Sequence, residues 1–288
     1  MIENFRPGTL EKWGLGFNDL IALNSRLIML RLSAYGEIGP KSQLPGFARI
    51  AQAYAGLSYL VGTPETPPLV AGSTTLADYL SGLYGAYGIL IALRARDRSG
   101  RGQYIDIGLH DGIFRFLDEI ASVYDKQGTV RERMGTEAPS SAPHSHYPTQ
   151  DGKWVAIACT NDRMFERLAI VLGQQDLAQP DRFGRLSNRL AGRDRLNQIV
   201  STWTSKRLRQ EVIALCSAGE VPCGPVNSIA EIFEEEQFWL RQTLTRVKDE
   251  RVGDLAVQGV VPRLSETPGS IQHLGRSLGE DNAEVYRD

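Results

Sequence analysis

RSGRGQYIDIGLHDGIFRFLDEIASVYDK, residues 98–126, is the stretch from which the rest of the chain is read. A basic, Gly-rich turn, Ser99-Gly100-Arg101-Gly102, leads into a short strand from Gln103 to Ile107 in which Ile105 and Ile107 share one face. Gly108 breaks that strand, and a helix begins with Leu109, His110 and Asp111. Asp111 therefore falls in a first helical turn, where unpaired backbone N–H groups and the positive dipole end stabilise an anion. Gly112 puts no side chain over it, so its carboxylate can stay ionised, uncrowded and open to attack an acyl carbon. The same pattern fits a structural aspartate. Such residues suit the dipole, and Arg115, four positions on, can hold Asp111 in an i,i+4 ion pair.

Working outward, Thr75 to Arg96 predicts a long amphipathic helix with Leu76, Tyr79, Leu80, Leu83, Tyr87 and Leu90 at helical spacing. Gly82, Gly85 and Gly88 make a second stripe. Each mid-helix glycine costs about 1 kcal/mol against alanine, so close approach of another backbone is expected there. The cluster Arg94, Arg96, Arg98 and Arg101 reads as a solvated helix end. Arg26 to Ser33 is a largely apolar run, as buried parallel strands are. Tyr35 to Pro40 is a loop at its carboxyl end, where open α/β sheets place ligands. Thr9 to Leu23 predicts helical turns broken at Gly14-Leu15-Gly16, and Phe47 to Tyr59 a further helix. Beyond the central stretch, Thr129 to Pro148 is Gly/Pro/Ser-rich and reads as a linker. A strand, Trp154 to Cys159, then enters a smaller domain with helices near 162–172, 193–202 and 206–218. Val221 to Val226 leads back out, followed by an acidic helix at 229–236 and a tail of strands and loops.

With 288 residues, 42% hydrophobic and 23% charged, the chain can bury a large core in one or two domains. A net charge of -2 supplies no basic field for nucleic acid. No apolar run is expected to reach a membrane span and no signal peptide opens the chain. Cys159, Cys216 and Cys223 lack C-x-x-C spacing and fit a reducing cytoplasm. His144-x-His146, even with Asp151 or Cys159, lacks a convincing set of three or four zinc ligands, so no metal is expected.

Residues 100–107, Gly-Arg-Gly-Gln-Tyr-Ile-Asp-Ile, followed by Leu109-His110-Asp111-Gly112, match a G-[RK]-G-Q-x-[VI]-D-[VI] strand and aspartate-bearing helix. Three further signatures occur in order: Glu3-Asn4-Phe5-Arg6-Pro7-Gly8, Ser33-Ala34-Tyr35-Gly36 and Val221-Pro222-Cys223-Gly224-Pro225-Val226. On these motifs the chain resembles the class III CoA-transferases, the formyl-CoA transferase and carnitine/bile-acid CoA-transferase family. The resemblance is nearest to the mesaconyl-, succinyl- and citramalyl-CoA type.

That resemblance implies an α/β fold with a Rossmann-like large domain at 1–128, a linker at 129–148, a smaller α+β domain at 149–226 and a return to the large domain at 227–288. It implies an interlocked homodimer and acyl-CoA and carboxylic acids as substrates, with no permanently bound cofactor. It makes Asp111 the nucleophile and Asn4, Phe5, Lys12, Tyr35, Gly36 and Phe47 the CoA site. It also implies that on the order of 90 residues, about three βα-sized pieces, precede Met1 in relatives. Without them, the strand at 26–33 is expected to expose an unpaired edge or apolar side chains, and an inactive remnant or a subunit needing another chain is an alternative. The catalytic rival is α-methylacyl-CoA racemase chemistry. There, a histidine in the region matching Pro45 to Arg49 partners the aspartate as acid and base. Phe47 stands there in this chain and cannot carry a proton, which favours transfer.

Overall fold

The computed structural model describes residues 1–287; Asp288, the end of the expected tail, lies outside them. The chain divides into two compact units, one from Met1 to Ser145 and the other from His146 onward. Both helices and strands recur along each, and the fold is mixed α/β.

The first unit opens with β1 (Ile2–Glu3), then α1 (Thr9–Lys12) and α2 (Phe17–Leu23), parted at Gly14-Leu15-Gly16 as expected. Next comes β2 (Ile28–Ser33), followed by α3 (Ala48–Tyr54) and α4 (Leu57–Leu60). Gly56, at φ 96°, divides these two helices where one had been predicted. α5 (Leu76–Ser99), β3 (Gln103–Gly108), α6 (Leu109–Arg115) and α7 (Ile120–Gln127) complete the unit. The strands form a parallel sheet in the order β1-β2-β3. β3 pairs β2 along its whole length, and β1 pairs it at Leu30 and Arg31. Met29 and Leu30 are buried. The central strand therefore has a neighbour on both sides, and the expected exposure of its apolar side chains does not occur.

α5 is a single long helix that keeps its large apolar side chains off the sheet. Its large apolar residues Tyr79, Leu83, Tyr87 and Leu90 are exposed by 61–72%, while Ala77, Ser81, Gly85 and Ala92 are buried. The helix lies on the sheet through its small residues. A Cβ at Gly85 would stand 2.6 Å from Leu30 Cδ2, and one at Gly88 3.2 Å from Ile105 Cγ2. Gly82, rotated about 120° from Gly88 around the helix, has open space. By length and composition α5 is also long and apolar enough to cross a bilayer, which the sequence reading did not anticipate. Ala77, with Ala48, Ala51, Ala55 and Ile113, forms a small core where α3, α5 and α6 meet. Gly100, at φ 73°, ends α5 by donating to the Arg96 carbonyl. Gly102 then passes so close to Leu27 that a Cβ would fall 1.8 Å from its carbonyl oxygen.

A second sheet comprises β4 (His144–Pro148), which begins at the end of the first unit, β5 (Trp154–Ala158) and, once the chain has passed through the helices, β6 (Cys223–Pro225). β4 occupies the end of the predicted linker, where alternating burial of Ser145 and Tyr147 replaces the expected loop. Between β5 and β6 run α8 (Asp162–Val171), α9 (Leu186–Ala191), α10 (Arg193–Thr204) and α11 (Arg209–Ala218). Their inward residues, among them Phe165, Leu168, Leu196, Val200 and Val212, form the core, in which Cys159 and Cys216 are buried. Fully buried Arg189 donates to the Phe183 and Gly184 carbonyls and to Asp162 Oδ1, and stacks over Phe165. α12 (Ile229–Glu234), α13 (Glu236–Leu240), the antiparallel hairpin β7 (Leu244–Asp249) and β8 (Gly253–Gln258), and α14 (Asn282–Val285) follow. These tail elements fall within the second unit.

Candidate active site

The site is built on a charged row that crosses the first unit's sheet. Parallel register sets Glu3 beside Arg31 and Arg31 beside Asp106. Arg31, buried in an otherwise apolar strand, donates from Nε to Glu3 Oε1 at 2.7 Å and from Nη1 to Glu11 Oε1 at 2.8 Å. The same Nη1 lies 2.8 Å from Glu37 Oε2. Burial works against the guanidinium charge, yet the bonds to Glu11 and Glu3 and the charge of Glu37 together raise its pKa. One cation thus serves three carboxylates. Burial, with the charges of Glu3, Asp106 and Glu11, outweighs Arg31 at Glu37 and pushes that carboxyl up to about 7. Asp106 accepts the Glu37 backbone N–H through both oxygens at 3.0 and 3.1 Å. Burial raises its pKa, the Glu37 N–H opposes this, and the charge of Asp111 adds to the rise.

Asp111 stands one helical turn beyond this row. Gly108 ends β3 and also N-caps α6, and its N–H donates to Asp111 Oδ2 at 2.8 Å. Asp111 Oδ1 lies 3.3 Å from His110 Nε2, and the side chain is 58% exposed. A carboxylate fixed in place by a backbone N–H yet more than half exposed meets the first requirement of a positioned nucleophile. The expected Asp111–Arg115 ion pair is not formed: the backbone of Gly108 and the His110 ring take the carboxylate instead. The His110 ring packs against Tyr54 at 5.3 Å and Tyr35 at 6.0 Å between centroids. Lys41 sits over the outer part of this group, 5.5 Å from the Tyr54 ring centre.

Two cavities flank this corner. Asp106, Ile107, Asp111, Gly112, Tyr84 and Arg115 line one of them. The other is lined by the predicted residues Asn4, Phe5 and Phe47, together with Arg6, Ser33 and Gly46. Tyr35 and Gly36 lie at the Asp111 corner. Gly36 adopts φ 83°, and a Cβ on it would meet Asp106 Oδ1 at 3.6 Å. Lys12 is exposed at the end of α1, beside Trp13, whose ring meets Phe5 edge-on, and it lines neither cavity. Among the described residues, no group of three His, Cys, Asp or Glu converges as a metal site. The sequence reading missed Arg31, Glu37 and Asp106. The available signal was a lone arginine inside an apolar strand, which burial requires to be paired.

Comparison with known proteins places this geometry in a family. The chain is 49% identical over 288 residues to the alpha subunit of succinyl-CoA–L-malate CoA-transferase from Chloroflexus aurantiacus, covering all of this chain and 67% of the relative. It is 48% identical to the beta subunit, covering all of this chain and 72% of that subunit. It therefore spans about two thirds of the length of these relatives. A crystal structure of a CAIB/BAIF family protein from Brucella suis superposes with a TM-score of 0.83 at 32% identity, covering 99% of this chain and 74% of that one. The model of CoA-transferase family III matches residues 1–282, and the chain belongs to that family.

Proposed function

We propose that the protein moves CoA between carboxylic acids, with dicarboxylic acyl groups such as succinyl, mesaconyl or citramalyl as substrates and Asp111 as nucleophile. Relatives named for succinyl-CoA transfer to L-malate, D-citramalate and glutarate support the substrate class. The observation that carries the mechanism is the Asp111 carboxylate, tethered through Oδ2 to Gly108 N–H, with Oδ1 beside His110 Nε2 and more than half of the side chain exposed.

Asp111 attacks the thioester carbonyl of the donor, the C–S bond breaks, and CoA leaves as thiolate with a mixed anhydride on the aspartate. The thiolate then attacks the Asp111 acyl carbon and releases the donor acid, leaving an aspartyl-CoA thioester. An acceptor carboxylate attacks that thioester, expelling CoA thiolate and forming a second anhydride. The thiolate takes the acceptor acyl group and frees Asp111. Splitting one exchange into covalent steps is what nucleophilic catalysis supplies. A racemase reading would need a histidine across the substrate from Asp111. Phe47 occupies the matching position, and His110 lies against Asp111 on the same turn.

On this reading the first unit is the Rossmann-like catalytic domain and 149–226 the smaller one. CoA meets Asn4, Phe5, Tyr35, Gly36 and Phe47, with Lys12 offering a point charge to a phosphate. The exposed Tyr79, Leu83, Tyr87 and Leu90 face of α5 supports assembly as an interlocked dimer, which sedimentation tests. Three free cysteines fit a cytoplasmic enzyme. The deciding experiment incubates the protein with acyl-CoA, traps with hydroxylamine or borohydride, and maps the product. Modification at Asp111 and loss of exchange in Asp111→Ala are expected. Labelling elsewhere, or full activity in that variant, would refute the proposal.

A further inference from the structure

We propose that Arg115 selects the acyl group, its guanidinium binding the far carboxylate of a dicarboxylic chain whose near carbonyl meets Asp111. The inference rests on the transferase reading of Asp111 and deepens it by assigning the residue that reads the substrate.

Asp111 and Arg115 line the same cavity, four residues apart on α6. Side chains at that spacing have Cβ atoms about 5–6 Å apart on one helix face. Arg115 is exposed and pairs with no carboxylate among the described residues, because Asp111 is held by Gly108 and His110 instead. The cavity's two other charged groups are both carboxylates, Asp111 itself and Asp106, and the latter is occupied by the Glu37 N–H. An anionic acyl tail entering here would be repelled by both, and among the described residues Arg115 is the one lining cation available to receive it. Tyr84, Ile107 and Gly112 supply the rest of the lining, suited to the methylene carbons between the two carboxyl groups.

Geometry separates this role from phosphate binding. With the thioester carbon at Asp111, the phosphates of CoA lie at the far end of the pantetheine arm. A group one helical turn from the reacting carbon, about 5.4 Å along the axis, meets the acyl chain instead. A four-carbon diacid spans about that turn. Guanidinium presents a planar fork that matches a carboxylate through two parallel hydrogen bonds, which an ammonium cannot do.

Succinyl-CoA and butyryl-CoA test this, since their acyl chains have equal length and differ in the terminal carboxylate. Calorimetric binding is measured in an Asp111→Asn background, so that no transfer consumes the ligand. Arg115 there should favour succinyl-CoA by about 10- to 150-fold, the factor that one hydrogen bond to a charged group supplies. Adding Arg115→Gln should abolish the preference by weakening succinyl-CoA alone, and Arg115→Lys should keep part of it. Circular dichroism checks the fold of each variant. Equal weakening of both ligands, or a preference that survives Arg115→Gln, overturns the assignment. CoA exchange, measured with Asp111 intact, reports separately on the transferase reading. Discrimination without exchange would sink that reading and uphold the Arg115 contact, while exchange without discrimination would do the reverse.

Discussion

Replacing Glu37 by glutamine should stabilise the first unit, and by more as pH rises. Arg31 already bonds Glu3 and Glu11, so a third, buried carboxylate at Glu37 is the costly one. Its carboxyl is pushed from an ordinary value of 4.5 up to about 7. A raised acid means that the folded protein holds a proton the unfolded chain has released. The resulting stability is fully present below about pH 4.5 and lost as pH climbs through 7. At about 1.4 kcal/mol per pH unit, the loss is below about 1 kcal/mol at pH 5 and about 3 kcal/mol at pH 8. Glu37→Gln keeps the size of the side chain and removes the ionisation, so its advantage over the parent should grow by about 2 kcal/mol between those pH values. Hydrogen exchange of the β2 amides, corrected for the intrinsic rate at each pH, reads opening of this unit alone. An advantage that is flat or shrinking from pH 5 to 8 would refute the account of one cation shared by three carboxylates.

Two glycine substitutions should act in opposite directions. Gly82→Ala enters open space on a helix and should add about 1 kcal/mol, whereas Gly102→Ala strikes the Leu27 carbonyl and should cost about 3 kcal/mol or more, both read by urea unfolding. Lys12→Glu should weaken CoA binding and flatten its dependence on salt; equal affinity across a salt series would remove Lys12 from the site.

The order of elements was legible because local rules fix it. The apolar run at 26–33, the glycines bracketing β3 and the first-turn aspartate each carry their own signal, and Asp111 emerges at a helix start as read. What the sequence hides is which face meets which neighbour. Periodicity marks the large apolar side of α5, yet the helix turns its small side to the sheet, because Leu30 and Ile105 need the room that Gly85 and Gly88 leave. The Glu3–Arg31–Asp106 row was hidden for a related reason. Its members lie far apart in sequence and meet only through strand register. The i,i+4 rule offered Arg115 as partner to Asp111, but a backbone N–H closer to hand took its place.

Gly108 belongs at once to the last rung of β3, opposite Ser33, and to the cap of the helix that carries Asp111. No spacer lies between the sheet and the helix that carries Asp111, so the position of its carboxylate is inherited from strand pairing with almost no slack. A one-residue insertion within Gln103–Gly108 would shift the helix by about 3.3 Å, or else turn every strand residue ahead of the insertion to the opposite face. For anyone grafting a new specificity onto this chain, the length of chain ahead of Asp111 is the one to leave untouched.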